Sequence, residues 1–305
     1  MLRFAVLRLL TAIPTLLFVI VLAFLMVHAA PGGPFDDERV LPPESARNLE
    51  AAYHLDESLP RQLGRYIAGL LHGDLGPSYH YRDYSVAELI GGAVPVSLKL
   101  GFAAMLAALA CGLTAGILAA LHRDSLLDRL VTALALVGIS IPVIVAAPLF
   151  VLVFAVKLGW LPASFGGGIE GYVLPVTALA LPQIAYIARI TRSGMIDALA
   201  SDYVRAARAQ GLSTATIVRR HALKPALLPV VSWLGPALAL ILTGAVVVET
   251  VFGVPGLGQL FVRAGLNRDY TLVLGIVIFY GAVIIVLNTA VDLAYGFLDP
   301  RIRPR

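Results

Sequence analysis

Long uncharged apolar stretches alternate with polar segments along the whole 305-residue chain. A helix needs about 20 apolar residues to cross a hydrocarbon layer roughly 30 Å thick. Stretches of that order occur six times, and the fourth is the shortest and contains Pro175, Pro182 and Gln183. We therefore predict an all-α integral membrane protein with six transmembrane helices, at Leu9–Val27, Leu100–Leu121, Leu130–Val156, Gly171–Ala188, Pro225–Val248 and Tyr270–Val291.

A polar segment at 29–95 separates the first two predicted spans. The run SLPRQLGRYIAGLLHG within it has the apolar spacing of an amphipathic helix that ends at a glycine. Ser85 and Glu88 have the spacing of a capping box, in which each side chain accepts the backbone N–H of the other residue. We expect two or three short helices here, packed on the outer membrane face. We divide the chain into a first transmembrane helix at 1–28, this extracytoplasmic insert at 29–95, and a core of five transmembrane helices at 96–305.

The composition excludes an ordinary soluble protein, since only 14% of the residues are charged, against roughly 25% in soluble domains. Lys and Arg concentrate on the cytoplasmic side of membrane proteins. If the N-terminus is inside, 14 of the 23 basic residues lie in the predicted cytoplasmic segments. We therefore expect a multi-pass protein with both termini in the cytoplasm. The same bias accounts for the net charge of +4, so it implies no nucleic-acid partner.

The sequence contains no recognisable enzyme motif. It has no P-loop of the form GxxxxGK[ST], so it cannot bind and hydrolyse ATP by that route. The single cysteine, Cys111, and six scattered histidines form no metal-binding pattern. We expect no catalytic residue, no cofactor and no metal bound by this chain.

A basic segment at 189–225 interrupts two apolar stretches and is longer than a connector needs to be. It holds seven Lys and Arg but only two acids. We expect Asp202 to cap a first helix, Gly211 to end it, and Ser213 to cap a second helix that runs to Leu223. Alanines make the first helix thin, which favours the close approach of a cytoplasmic partner over a loop that only lies on anionic headgroups. The expected docking residues are Asp202, Tyr203, Arg205, Ala206, Ala207, Arg208, Gly211 and Ser213.

Polar groups near the ends of the last two spans are candidates for a substrate path. Glu249 ends the fifth predicted span on its outer side. It lies either at headgroup level, paired locally, or at the rim of an outward-facing cavity where it could meet the amino terminus of a substrate. The loop that follows contains a proline among three glycines and is typical of a re-entrant or interfacial element. We expect the path or its gate to include Glu249, Phe252, Pro255, Gln259 and Asn288.

The segment from Arg205 to Gly211 resembles the E-A-A-x-x-x-G motif of the membrane subunits of ABC importers, with Arg205 in place of the glutamate. Longer strings extend the resemblance over essentially the whole chain. They are similar to the B-type permease subunit of bacterial oligopeptide importers: FDDERVLPPE, HGDLGPSYHYRDYSV, ARITRSGMI, RHALKPALLP, ETVFGVPGLGQLF, LNRDYTLVLG and DPRIR.

The resemblance implies a permease subunit of an ATP-driven importer that moves oligopeptides across the bacterial inner membrane. It implies a homologous second permease, two cytoplasmic ATP-binding subunits that use ATP and Mg, a periplasmic oligopeptide-binding protein and membrane lipid as partners. The helices at 202–221 would act as levers that switch the path between inward-facing and outward-facing states. A dipeptide or glutathione importer of the same branch stays open as an alternative. Two other classes are a transporter driven by an ion gradient, against which the missing internal repeat counts, and a membrane scaffold or receptor, which ranks last.

Overall fold

The chain forms helices joined by short connections throughout the part that the structure describes. The computed structural model describes residues 2–30, 33, 48, 51, 53–81, 83–166 and 168–298, and at 2–9 and 292–298 it describes the backbone path alone. In chain order the helices are α1 Leu2–Ala29, α2 Leu59–Leu71, α3 Val86–Leu121, α4 Leu126–Ser140, α5 Val143–Phe150, α6 Glu170–Leu199, α7 Asp202–Ala209, α8 Thr214–Ile217, α9 Leu223–Phe252, α10 Leu257–Leu266 and α11 Tyr270–Leu298. Val151–Lys157 and Val218–Ala222 are wound as π-helices.

Five of the described helical stretches are long and apolar enough to cross a membrane. They lie in α1, α3, α6, α8–α9 and α11, and they contain the first, second, fourth, fifth and sixth predicted spans. The all-α class is confirmed. The helices extend past the predicted spans, because α3 begins at Val86 rather than Leu100 and α6 continues to Leu199 rather than Ala188.

The third predicted span is not one continuous helix. It is divided into α4 and α5, which are bent by 103° at a break of a few residues. The residue before a proline is disfavoured in the helical region, and Ile141, which precedes Pro142, has an extended backbone with φ −87° and ψ 113°. The structure therefore has up to six spans, the sixth being this bent pair.

Among the described residues of the segment at 29–95, one of the expected short helices is present, α2, which ends before Gly73 at φ +78°. The predicted capping box is confirmed, since the Ser85 N–H donates to Glu88 Oε2 at 2.9 Å and the Glu88 N–H donates to Ser85 Oγ at 3.2 Å. This box begins the long helix α3 rather than a separate short helix. The string FDDERVLPPE lies outside the described residues.

The fold divides into two compact units. The first comprises Met1–Val6, Ser97–Val254 and Val286–Arg305, and the second comprises Leu7–Val96 and Pro255–Ile285. The division at 28 and 95 that the sequence suggested stays a prediction.

In the first unit, α3 and α6 approach each other through small residues. Gly112 and Gly116 are four residues apart on α3, the spacing of a GxxxG contact between membrane helices. A Cβ atom on Gly116 would lie 2.5 Å from the carbonyl oxygen of Ala188, and one on Gly112 would lie 2.8 Å from the Ile187 side chain. Only glycine at these two positions permits this helix crossing.

In the second unit, the buried carboxylate of Asp269 joins the start of α11 to the loop at 76–81. Its Oδ1 accepts the N–H groups of Tyr79 at 3.1 Å and of Leu272 at 3.2 Å. Its Oδ2 accepts the hydroxyl of Ser78 and the N–H of His80. Asp269 is fully buried, so it serves both as the N-cap of a long apolar helix and as the anchor of an otherwise irregular loop.

Replacing Gly116 with alanine is expected to destabilise the protein by about 1–3 kcal/mol, because the added methyl group overpacks the helix crossing. The melting temperature of the purified chain in detergent, followed by tryptophan fluorescence, measures this loss. Gly91→Ala is the matched control on the same helix, since a Cβ there would meet no atom within 4 Å. Equal melting temperatures for the two variants would refute the packing argument.

Asp269→Ala should expose the backbone amides of Tyr79 and His80 to solvent exchange, because their buried acceptor is removed. The expected cost is about 1–3 kcal/mol in local stability. Asp269→Asn keeps the Oδ1 acceptor and should give an intermediate effect. Hydrogen exchange of a peptide covering 76–84, read by mass spectrometry, tests the order, with Asp83→Ala as the control because Asp83 is exposed in the same peptide. Unchanged exchange in Asp269→Ala would disprove the anchoring role.

Candidate functional site

The basic segment at 189–225 contains a compact pair of helices, α7 and α8, and the two ends of this pair come together where the long apolar helices α6 and α9 meet. Its first residues belong to α6, and its last residues continue through the π-helical segment into α9. Gly194 of α6 lies against the backbone of Ala226 of α9, where a Cβ would be 2.8 Å from the Ala226 carbonyl oxygen. A small buried core that includes Met195 and Ala222 surrounds this contact. The helix pair therefore has both of its ends fixed at one place.

The N-cap of α7 is Ser201, and the prediction that Asp202 fills this position is wrong by one residue. Ser201 has extended backbone angles and Asp202 is the first helical residue. A carboxylate in the first turn is favoured by the helix dipole. Asp202 also forms an exposed ion pair with Arg205, so these two charges largely neutralise each other.

The turn between α7 and α8 agrees with the sequence prediction. Gly211 follows the last turn of α7 with φ +79°, a left-handed conformation that favours glycine. Ser213 caps α8, since its hydroxyl accepts the N–H of Thr216 at 3.4 Å. Both features depend on local backbone chemistry, which is why they could be predicted from the sequence.

Ala207 faces the inside of the helix pair and is not a surface for a partner. It is buried together with Val204 and Ile217, and Leu199 packs against the three. Ala207 is among the expected docking residues, but its side chain is buried inside the helix pair and does not lie at the surface. The buried side of α7 is set by its packing on α8, which sequence spacing alone does not reveal.

The opposite side of α7 is exposed, and we call Asp202, Arg205, Ala206 and Ala209 the exposed face of α7. Their spacing of three and four residues places them on one side of a helix. Tyr203 and Leu212, which are 47% and 37% exposed, lie beside it. This face carries one neutral ion pair and two methyl groups, and the small alanine side chains allow another protein to approach the helix closely.

The side chain of Glu249 is fully buried in the first unit. Its part in a substrate path stays a prediction. The hydroxyl of Ser97 on α3 donates to Glu249 Oε1 at 2.6 Å. The two residues are 152 positions apart, so no local pattern indicates that they meet. In this conformation Glu249 links α3 to α9.

The other expected path residues lie in three different places. Phe252 is buried at the end of α9, where its carbonyl oxygen accepts the Phe165 N–H at 2.8 Å. Asn288 lies against Gly235, with its Oδ1 2.8 Å from the position of a Cβ there. Pro255 and Gln259 share the lining of a cavity of about 200 Å³ in the second unit.

The second unit also holds a cavity of about 540 Å³ that the sequence analysis did not anticipate. Its size is within the range of ligand-binding cavities. Burial, with smaller contributions from Asp269 and neighbouring tyrosines, raises the pKa of Tyr79 to about 12, so this phenol is a neutral donor at physiological pH. The cavity can enclose a small ligand and offer its polar atoms a few hydrogen bonds. Its lining includes His28, Tyr53, Arg65, Tyr66, Tyr79 and Tyr270.

The pairing of Asp128 with Arg192 is a further feature that the sequence analysis missed. Arg192 of α6 donates to both carboxylate oxygens of the buried Asp128, at 2.5 and 2.7 Å. Asp128 stands three residues after the N-cap Ser125, a local spacing that marks a helix start but names no partner. Among the described residues, no group of three or more His, Cys, Asp or Glu side chains could hold a metal ion.

Comparison with known proteins places this arrangement in a family. Residues 112–304, more than half of the chain, match the binding-protein-dependent transport system inner membrane component. The oligopeptide transport system permease protein OppB of Escherichia coli (strain K12) is 50% identical over 305 residues, which cover 99% of this chain and 100% of that protein. OppB of Haemophilus influenzae is 48% identical with the same coverage. The dipeptide transport system permease protein DppB of Bacillus subtilis (strain 168) is 41% identical over 303 residues, covering 99% of this chain and 98% of that protein.

Solved structures share the fold. An inward-facing conformation of the MetNI methionine ABC transporter matches with a TM-score of 0.60 at 20% identity, covering 70% of this chain and 97% of that chain. A second crystal form of the same transporter matches with a TM-score of 0.59 and 20% identity, covering 69% of this chain and 96% of that one. The chain belongs to the family of binding-protein-dependent transport system inner membrane components, the membrane permease subunits of ABC transporters, and is not their ATPase.

Proposed function

We propose that this chain is a permease subunit of an importer that moves oligopeptides across the bacterial inner membrane, driven by ATP that other subunits hydrolyse. The observation that carries the proposal is the helix pair α7–α8, which presents a small exposed face and is fixed at both ends in long apolar helices. Such a pair can receive force from a cytoplasmic protein and deliver it to the membrane-spanning part of the chain.

Oligopeptides are the substrate class that the similarity supports best, since the relatives at 48–50% identity along their full length are named as oligopeptide permeases. A dipeptide permease at 41% identity is the basis for the second candidate, an importer of shorter peptides. We further propose that a homologous second permease, two ATP-binding subunits that use ATP and Mg, and a periplasmic oligopeptide-binding protein complete the transporter.

Both termini lie in the cytoplasm in this proposal, and α7–α8 faces the same side. The distribution of Lys and Arg supports this orientation, because 14 of the 23 fall in the segments that it places inside. The insert containing α2 and the loop at 76–81 then faces the periplasm, where a binding protein delivers peptide.

The close contact between Gly194 and Ala226 suggests how force passes from α7–α8 into the membrane. The ends of α6 and α9 touch at this point, so a displacement of the helix pair moves both helices. Closure of the ATPase dimer would thereby switch the path between its inward-facing and outward-facing states, a rigid-body change of a known kind. The path itself would form between this chain and the second permease.

Ala206→Trp on the exposed face of α7 should reduce peptide uptake and the associated ATP hydrolysis about tenfold, because the indole ring overlaps the docked ATPase subunit. A tenfold loss corresponds to about 1.4 kcal/mol of docking free energy. The variant chain should still insert into the membrane and fold. Ala206→Ser is the matched control and should retain activity. Uptake and ATPase rates in proteoliposomes measure the effect. Normal coupling in Ala206→Trp would count against docking at this face.

Ala207→Arg is expected to behave differently, because it places a charge among Val204, Ile217 and Leu199. It should unfold the helix pair and increase its cleavage by protease, as well as stop transport. Limited proteolysis of the two variants separates them. If the Ala207→Arg and Ala206→Trp variants were equally resistant to protease, the assignment of the buried and exposed sides of α7 would be wrong.

Reconstitution tests the proposed function directly. Proteoliposomes containing this chain, a second permease, the two ATPases and the binding protein should take up a labelled oligopeptide only when ATP is supplied. Omitting the ATPases should abolish uptake even under a proton or sodium gradient. Uptake by this chain alone under such a gradient would establish a secondary transporter instead.

A further inference from the structure

A narrow groove between α4 and α6 combines an apolar wall with arginine side chains. Both helices belong to the first unit, and the groove encloses about 200 Å³. Its apolar side is contributed mainly by α4 and its basic side by α6. The residues that line it are Val131, Thr132, Ala135, Leu136, Ala188, Arg189 and Arg192.

Two contacts between α4 and α6 keep the groove open between them. Gly138 of α4 meets Ala185 of α6, where a Cβ on the glycine would lie 3.0 Å from the alanine Cβ. Nearer the start of α4, Arg192 holds the buried Asp128 by two hydrogen bonds. The helices are thus joined on either side of the groove, and its width is set by the fold.

The groove carries excess positive charge at one end. The charge of Arg192 is balanced by Asp128. Arg189 lies three residues earlier on the same helix face, is exposed, and forms no ion pair with a carboxylate of the described residues. Arg129 of α4, three residues before Thr132, is likewise exposed and unpaired within that part of the chain. Arg189 therefore brings an uncompensated positive charge into the groove, and Arg129, which does not line the groove, adds a second positive charge close in sequence to the lining residues of α4.

The apolar end of the groove continues into a surface of the kind that lipid chains cover. Leu130, Leu134 and Val137 of α4 are 54%, 69% and 54% exposed. α4 and α5 together are apolar enough to form a membrane span. A ligand of this groove must therefore join a negative group to an apolar chain.

We propose that the groove binds an anionic phospholipid, with its phosphate at Arg189 and Arg192 and part of one acyl chain against Ala135 and Leu136. Asp128 engages two of the five guanidinium donors of Arg192, so others remain for a phosphate. Basic pockets between membrane helices on the cytoplasmic side recognise anionic headgroups in this way. The inference holds whichever peptide, or other substrate, the transporter moves.

Lipid titration followed by native mass spectrometry tests the proposal on the chain purified with its second permease and ATPase subunits. Phosphatidylglycerol should bind more tightly than phosphatidylcholine. Arg189→Gln should weaken phosphatidylglycerol binding about fivefold, the effect of about 1 kcal/mol for one basic residue near the membrane surface. Arg123→Gln is the matched control, because Arg123 is exposed, pairs with Asp124 and does not line the groove. It should bind lipid as the unchanged chain does.

Thr132→Trp supplies an independent test, since it fills the groove but leaves every arginine in place. It should weaken phosphatidylglycerol binding, and soluble glycerol phosphate should compete poorly because it cannot use the apolar wall. Any of three results would overturn the proposal. Unchanged lipid binding in Arg189→Gln would mean that lipid does not use the groove, for example because the second permease covers it. An equal loss of binding in Arg123→Gln would indicate diffuse charge attraction, and full competition by glycerol phosphate would indicate a simple anion site.

Discussion

The arrangement of the first unit depends on α6 being held against three neighbouring helices at glycines, where an added methyl group would crowd the adjacent helix. Gly116 of α3 meets the backbone of Ala188, Gly138 of α4 meets Ala185, and Gly194 of α6 meets Ala226 of α9. In a membrane, burial of apolar surface contributes little to helix association because lipid is as apolar as the helices. Close packing through small residues has to supply the attraction instead, and α6 is where this packing converges.

The same contacts explain why the candidate coupling site is small. The helix pair α7–α8 needs only a few buried side chains of its own, Val204, Ala207 and Ile217, because its two ends are already joined by α6 and α9. Most of α7 is therefore free to face another protein. Buried polar contacts add direction to this packing, since Asp128 with Arg192 joins α4 to α6 and Ser97 with Glu249 joins α3 to α9.

The sequence predicted those features that local chemistry determines. Five spans follow from apolar length, and Gly211, Ser213 and the capping box of Ser85 with Glu88 follow from backbone geometry within a few residues. The break before Pro142 was missed because the count of apolar residues took no account of the backbone preference of the preceding residue. The burial of Ala207 and Glu249 was missed for another reason. Each faces a partner on another helix, and spacing along one helix cannot say which side that partner occupies.

The ion pair between Asp202 and Arg205 has a consequence for recognition. The segment at 189–225 is strongly basic as a whole, yet the one acid and the one base on the exposed face of α7 balance each other. The nearest further charge on this helix is the exposed Arg208, at the edge of the face. A protein that docks on this face would contact mainly methyl groups and a neutral ion pair, so its binding there would depend more on shape complementarity than on long-range charge attraction. The surrounding arginines can therefore attract the membrane surface, an interaction that salt screens, without making the grip of the partner depend on ionic strength. In the proposed docking, adhesion to lipid and recognition of protein would thus be separated on one short stretch of chain.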